Sequence, residues 1–212
     1  MKLDFRNICP HKLFPILMLL EEFSDENYIV GGAVRDLWMK KTPNDWDVVT
    51  DIPMDKLIEL FEDGGFKVTK TGIAHLVLNV HFSEFVVEIS NFRKDKSCDG
   101  RHADVEVGDI KTDAFRRDFT VNSLFINTKT LEVLDPTGQG LDDINNRVLR
   151  FVGNPKGRIN QDYLRCMRYY RFLSKGFKAD KKSLKAVREM WNEAYEKTTA
   201  ERVRVEIEKM VL

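Results

Sequence analysis

The chain has few cysteines, no charge imbalance and no long apolar run, and each shortage excludes something. Its three cysteines, Cys9, Cys98 and Cys166, are odd in number and far apart. They form neither a disulfide framework nor a zinc-ligand pattern, and a reducing cytoplasmic setting fits them best. The 34 Lys and Arg are matched by 34 Asp and Glu. Zero net charge argues against a non-specific coat for nucleic acid and leaves room only for local basic patches. No apolar run reaches the length of a membrane span. The opening Met1-Lys2-Leu3-Asp4-Phe5-Arg6 is unlike a signal peptide, and the one early apolar run, Leu13 to Leu20, is short and contains Pro15. Repeats, low-complexity tracts and long linkers are absent. What remains is an ordinary composition, 42% hydrophobic over 212 residues, enough for one or two domains with a good core.

The stretch that organises the rest is Gly31-Gly32-Ala33-Val34-Arg35-Asp36, with Asp45-Trp46-Asp47 nine residues on. Tyr28-Ile29-Val30 before it is short, apolar and β-prone, and reads as a strand. The double glycine permits a sharp turn and a close approach to a ligand. Ala33 to Met39 reads as a helix whose first N–H groups point back at the turn, a natural place for an anion, and Arg35 adds a planar positive fork suited to phosphate. Asp45 to Val49 alternates with period two, so Asp45 and Asp47 point one way and Trp46 and Val48 the other. Two neighbouring carboxylates repel unless a cation lies between them, and magnesium takes hard oxygen ligands and substrate phosphates together. The plainer alternative is a strand end with two solvated acids after the Pro43-Asn44 turn.

Around this stretch the pattern is mixed α and β to about residue 152 and helical beyond. Lys12 to Phe23 reads as a short amphipathic helix, and Pro53 opens a helix that Gly64-Gly65 ends. Phe66 to Lys70, His75 to Phe82 and Phe85 to Ser90 read as strands, with a tight hairpin at Ser83-Glu84. Asn91 to Asp104 is polar, holds Gly100 and reads as a mobile loop. Asp109 caps a helix to about Arg116. Ser123 to Asn127 and Glu132 to Leu134 are short strands around a Thr-Lys-Thr turn, and Gly138 and Gly140 precede a short helix near Asp142. Pro155 to Ile159 reads as a linker, and from Asn160 the pattern is helical to Leu212.

Three further groups carry chemistry. Glu88 is one acid in the otherwise apolar Phe85-to-Ser90 strand. It is either a third carboxylate beside Asp45 and Asp47, completing a two-metal site, or a residue facing solvent on a one-sided sheet. Phe115-Arg116-Arg117-Asp118-Phe119-Thr120-Val121-Asn122 gathers arginines suited to a triphosphate with an Asp and an Asn suited to ribose hydroxyls. Taken alone it reads more readily as a helix C-terminus with favourable arginines and a turn aspartate. In Gln161-Asp162-Tyr163-Leu164-Arg165-Cys166-Met167-Arg168-Tyr169-Tyr170-Arg171-Phe172 the apolar residues fall all round, which reads as a buried helix. Asp162 and Arg165, at i and i+3, form either a weak ion pair or a base reader. One acceptor beside one donor matches the exocyclic amine and ring acceptor of cytosine or adenine. Guanine and uracil show the reverse pattern and would leave buried groups unpaired.

Taken in order, Gly31-Gly32-Ala33-Val34-Arg35-Asp36, Asp45-x-Asp47, Arg116-Arg117-Asp118-Phe119-Thr120-x-Asn122, Asp135-Pro136-x-Gly138, Asp162-x-x-Arg165-x-x-Arg168-x-x-Arg171-Phe172 and Glu201-Arg202 resemble the class II tRNA nucleotidyltransferases. These are the CCA-adding enzymes, with bacterial poly(A) polymerases as close relatives, and the match runs from about Tyr28 to the end. The resemblance implies an α+β chain: a polymerase-β-like nucleotidyltransferase head with a mixed sheet over 1–152, then an all-helical neck over 153–212. It implies that Asp45 and Asp47 hold Mg2+, while Glu88 is a candidate catalytic acid from the strand reading alone. It implies that Gly31, Gly32, Arg35 and Arg117 contact the nucleotide's phosphates or sugar. Asp118 and Asn122 would lie near the ribose, Asp162 and Arg165 would read the base, and Arg168 and Arg171 would support the nucleotide site. The stretch from Arg93 to Asp104 resembles the family's flexible loop, which helps switch between C and A addition.

Two departures stand out. The family usually has Glu where this chain has Gln161, and it continues past the point matching Glu201-Arg202 into helical body and tail domains, absent here, that grip the tRNA. The expected activity is addition of CMP and AMP from CTP and ATP to the 3′ end of tRNA. Poly(A) addition to RNA 3′ ends is the nearest rival. A head kept as a non-catalytic RNA- or nucleotide-binding regulator is a third reading, against which the intact Asp45 and Asp47 speak.

Overall fold

The computed structural model describes residues 10–70, 72–82, 85–98 and 103–211. Its centre is a seven-stranded mixed sheet in the order β3-β4-β5-β2-β1-β8-β9. The strands are β1 (Asn27–Val30), β2 (Trp46–Thr50), β3 (Lys67–Thr69), β4 (Val77–Phe82), β5 (Phe85–Asn91), β8 (Phe125–Asn127) and β9 (Val133–Leu134). Among the described residues, β2 and β5 are the one parallel pair within this sheet. Residues alternate in β2, so successive side chains leave by opposite faces. Trp46 and Val48 enter the main core with Ile29, Val87 and Ile89, under α1 (Phe14–Glu21), α2 (Gly32–Trp38) and α3 (Met54–Asp63). Val49 enters a smaller cluster on the other face with Tyr28, Val30, Phe92, Phe125 and Ala114 of α4 (Ile110–Arg116). That second face is only partly covered, and the functional side chains lie on it.

Most elements follow the sequence signals. Gly64 ends α3, and Gly65 takes a positive φ of 77° just beyond it. Asp109 and Thr112 close a reciprocal capping box at the start of α4. Asp135 accepts from Gly138 N and Leu141 N and so fastens the start of α5 (Gly140–Asn145). The expected turn at Ser83-Glu84 lies outside the described residues, but Phe82 pairs with Phe85 across it.

Three expectations are corrected. The polar stretch 91–104 is not a structureless loop. β6 (Arg93–Cys98) pairs antiparallel with β7 (Ala103–Val107), with a register shift between Asp95 and Ser97. The two strands pair with each other alone, so neither needs an apolar face, and polarity hid them. The supposed linker at 155–159 is helical, α6 (Pro155–Gln161): Pro155 takes the first helical position and the Asn154 side chain accepts from Gly157 N. The region from Asn160 is broken three times, the last time at the extended Thr198 before Ala200. Asp162 ends α6, so α7 (Arg165–Ser174) starts at Arg165, and β11 (Lys178–Ala179) interrupts the helices before α8 (Lys181–Lys197) and α9 (Ala200–Val211).

A seam joins the sheet part to the helical part. β10 (Val148–Leu149) pairs in parallel with β11. Lys178 N donates to Arg147 O at 2.6 Å and Asp180 N to Leu149 O at 3.1 Å. Phe151 N donates to Ser183 Oγ at 3.1 Å. Beneath the seam, Phe119 lies 4.9 Å from Phe151 and 5.3 Å from Phe172, ring centre to ring centre, and Tyr169 stacks on Phe151 at 5.5 Å. Among the described residues no helix is long and apolar enough to cross a membrane.

Candidate active site

The site starts at the glycine turn. Gly31 caps α2 with φ 70° and ψ −132°, a conformation that a side chain resists. A side chain there would also meet close neighbours. A Cβ on Gly31 would stand 3.2 Å from Arg117 Nη1 and 3.5 Å from Asp47 Oδ2. A cation and an anion from different elements thus both border the turn. Gly32 borders the cleft that opens beside it, a cavity of about 450 Å³ whose wall also holds Arg35, Asp45, Asp47, Arg171 and Phe172. The glycine turn and the acid pair therefore meet in one cleft. α2 has only seven residues, and side-chain cations line the cleft, Arg35 and Arg171 with Lys41, Lys175 and Lys209.

Asp45 precedes β2 and is exposed, whereas Asp47 lies within the strand and is half-buried. Glu88 sits opposite Asp47 in the parallel register, on the same open face, and is exposed. Burial first, then repulsion from Glu88, pushes the Asp47 carboxyl up to about 6, with Asp45 adding to this and Arg117 opposing it. An acid short of positive charge is set where a cation would relieve it. Among the described residues no group of three or more His, Cys, Asp or Glu side chains is arranged to hold a metal ion. Glu88 stands beside the pair without closing a three-ligand set.

Arg35 is fixed on three sides. Its Nε donates to Asp36 Oδ1 at 2.9 Å, its Nη1 donates to Asn122 Oδ1 at 2.6 Å, and its Cζ lies 4.9 Å from the centre of the Phe172 ring. Arg171 approaches the same ring at 5.0 Å. Arg171 Nε also lies 2.7 Å from Glu206 Oε2, although neither atom completes a hydrogen bond.

Asp118 and Asn122 sit behind this layer. Asp118 Oδ1 accepts from Phe119 N at 2.8 Å and from Asn122 Nδ2 at 3.0 Å. Its Oδ2 accepts from Arg168 Nε at 2.9 Å and Nη2 at 2.6 Å. Burial alone would raise its pKa, but Arg168, then Arg165, with hydrogen bonds from Asn122 and Arg168, hold the carboxyl well below the usual range. Asp36, Arg35, Asn122, Asp118, Arg168 and Glu206 thus form one chain of polar contacts from α2 to α9.

The expected pairing of Asp162 with Arg165 does not form. Asp162 closes α6 in an extended conformation, so the two residues are not one helical step of three apart. Asp162 instead takes Arg202 Nη2 at 3.1 Å on each oxygen. Arg165 donates to Arg158 O, Gln161 Oε1 and Arg116 O at 2.8, 3.0 and 3.2 Å. Gln161, the departure from the family pattern, supplies a neutral acceptor there. The pair still flanks the Asp118 and Arg168 cluster, since Asp162 acts on Arg168 and Arg165 on Asp118.

Two residues in this network escaped the sequence reading. Asp113 is fully buried and binds Arg116 and Arg117. Its spacing, three and four residues before those arginines on a helix, is a signal that could have found it. Glu206 is a buried acid under Arg168 and Arg171, and nothing local to its sequence marks it.

Residues 27–150 match the family model described as the poly A polymerase head domain. A mitochondrial CCA tRNA nucleotidyltransferase 1 of Danio rerio is 33% identical over 219 residues, which is 99% of this chain and 49% of that protein. A CCA-adding enzyme of Enterococcus faecalis is 34% identical over 202 residues, 93% of this chain and 48% of that protein. The crystal structure of the Bacillus stearothermophilus CCA-adding enzyme in complex with CTP matches with a TM-score of 0.82 at 28% identity, covering 99% of this chain and 49% of that one. The chain spans about half the length of the curated relatives it matches. With its glycine turn, acid pair and arginine layer in one cleft, and with its sheet part matched across its length, the chain belongs to the poly A polymerase head domain family.

Proposed function

We propose that this chain is the catalytic part of a template-independent RNA nucleotidyltransferase that adds CMP and AMP, from CTP and ATP, to the 3′ end of tRNA. The supporting observation is the meeting of Arg117 Nη1 and Asp47 Oδ2 at the Gly31 turn, 3.2 and 3.5 Å from where a Gly31 Cβ would stand, at the edge of a cleft lined by Arg35 and Asp45. A glycine lets a phosphate come close to the backbone there, with cations and carboxylates both beside it. The names of the relatives, CCA-adding enzymes in bacteria and a CCA tRNA nucleotidyltransferase in a fish, point to tRNA as acceptor.

The donor set fits Mg2+. Asp45 and Asp47 offer only hard oxygens, and burial together with repulsion from Glu88 and Asp45 raises the pKa of Asp47, a strain that a cation would relieve. Two carboxylates suffice, because magnesium completes its shell with substrate phosphates and water. When bound, it lowers the pKa of the attacking hydroxyl and stabilises charge on the leaving oxygens.

In the reaction, the RNA 3′-oxygen bonds to the α-phosphorus, the bond to the β-phosphate oxygen breaks, and pyrophosphate leaves. Arg35, Arg117 and Arg171 set positive charge along the phosphates, and such preorganised charge supplies most of the rate in phosphoryl transfer. Asn122, fixed between Arg35 and Asp118, lies near the ribose, while Arg168 braces Asp118 from behind. Asp162 and Arg165 read the base edge. A carboxylate has about four acceptor positions, so Asp162 can serve Arg202 and still accept from an exocyclic amine.

The test is incubation with magnesium and tRNAs ending before, within and after CCA, giving each nucleotide alone and in pairs, with products read at single-nucleotide resolution. Addition that completes CCA and then stops supports the reading. A long ladder from ATP alone would replace it with polyadenylation, the activity after which the matched head domain is named. No incorporation with any acceptor would overturn both.

A further inference from the structure

Arg117 is an arginine whose direction is set by a residue outside the cleft wall. Asp113, one turn earlier on α4, is fully buried. Its Oδ2 accepts from Arg117 Nε at 2.9 Å and Nη2 at 2.7 Å. Its Oδ1 accepts from Arg116 Nε at 2.9 Å and from the backbone N of Arg93 at 3.2 Å. The face of Arg117 is also covered, with Cζ 5.2 Å from the centre of the Phe125 ring. Two of its three nitrogens are therefore occupied, and only Nη1 is turned toward Gly31 and Asp47. An aspartate and an arginine at i and i+4 on an exposed helix attract each other only weakly. Burying the carboxylate changes that, because an ion in a dry site must be satisfied in full. Burial alone would raise the Asp113 carboxyl, yet Arg117 and Arg116 together bring it down to about 2.

We propose that Asp113 is a positioning residue for nucleotide binding: it takes up Nε and Nη2 of Arg117 so that Nη1 alone faces the phosphate chain at the Gly31 turn. The same carboxylate holds the root of the β6–β7 hairpin through Arg93 N, so hairpin and arginine share one anchor. This deepens the nucleotidyltransferase reading and rests on it. Charge alone does not meet the demand. A lysine at 117 would keep the positive charge, but a point charge on a flexible stem cannot span Asp113 and still present a directed donor to phosphate.

Calorimetric titration with CTP in the presence of Mg2+ tests this on the whole chain. Asp113→Asn is expected to weaken binding about tenfold in the native background and less than about twofold in an Arg117→Ala background. Arg117→Lys is expected to lose nearly as much affinity as Arg117→Ala, and it settles the matter even where Asp113→Asn fails to fold. Full affinity in Arg117→Lys, or an equal loss from Asp113→Asn in both backgrounds, would overturn the orienting role while leaving the nucleotide reading intact. Absence of CTP binding by the unmodified chain would remove both.

Discussion

Arg202 holds both carboxylate oxygens of Asp162 at 3.1 Å, across forty residues of chain. The contact fastens α9 to the corner between α6 and α7, where the base edge is proposed to be read. On that proposal the last helix is a component of nucleotide choice.

Removing that hold should loosen selection. In Arg202→Ala, Asp162 loses its cation and its fixed direction. Discrimination of CTP and ATP against UTP and GTP is expected to fall at least tenfold, with the catalytic rate on CTP changed less. Asp162→Ala should do the same more strongly, since it removes the acceptor itself. Competition assays with all four nucleotides give the measurement, and unchanged selectivity in both variants would make the pair purely structural.

Asp47 should trade stability for activity. Its folded pKa of about 6 lies above its unfolded value of about 4. Between those values the folded chain binds more protons than the unfolded one, so metal-free stability falls as pH rises from about 4 to about 6 and is flat beyond. Asp47→Asn mimics the protonated form. In chelator at pH 7.5 it should be more stable by about 1–3 kcal/mol, and at pH 4.5 by little, while nucleotide incorporation drops about a thousandfold. Thermal melts at the two pH values check the first half, and product gels the second. An Asn variant no more stable at pH 7.5 would refute the charge deficit.

Asp113 has the opposite sign. Its folded pKa of about 2 is below the unfolded value, so its contribution is present above about pH 4 and lost as pH falls from about 4 to about 2. That contribution is about 2 kcal/mol. Acid titration of stability should show a decline in that window, and the decline should be flatter in Asp113→Asn. Equal slopes would mean the carboxylate is not held by its arginines.

Gly31→Ala should harm binding through geometry. The new methyl meets Arg117 Nη1 at 3.2 Å and forces a side chain into φ 70°. A cost of about 1–2 kcal/mol in stability is expected from the backbone alone, together with a raised KM for CTP as Arg117 is displaced. Normal KM with lowered stability would separate the turn from the nucleotide.

What could be read from the residues was what short-range chemistry dictates. The glycine turn, Asp47 in its strand and the Asp109 cap depend on neighbours a few positions away, and each stands where its pattern placed it, whereas Asp45 falls just before the strand that was read to begin with it. The partners of Asp162 and Arg171 could not be read, because they come from α9, whose position follows from packing. The β6–β7 ribbon was missed because its strands bury no apolar stripe, and the helix at Pro155 because a proline that starts a helix looks like one that prevents it.

The seam between β10 and β11 bears on how relatives of this chain can be recombined. Phe119 and Phe151 come from the sheet side, Tyr169 and Phe172 from the helical side, and their rings interlock beneath that seam. A cut at residue 152 would leave half of an aromatic cluster open to water. Chimeras that swap base preference between family members should therefore import residues 147–152 along with the donor's helices, or accept a junction that never closes.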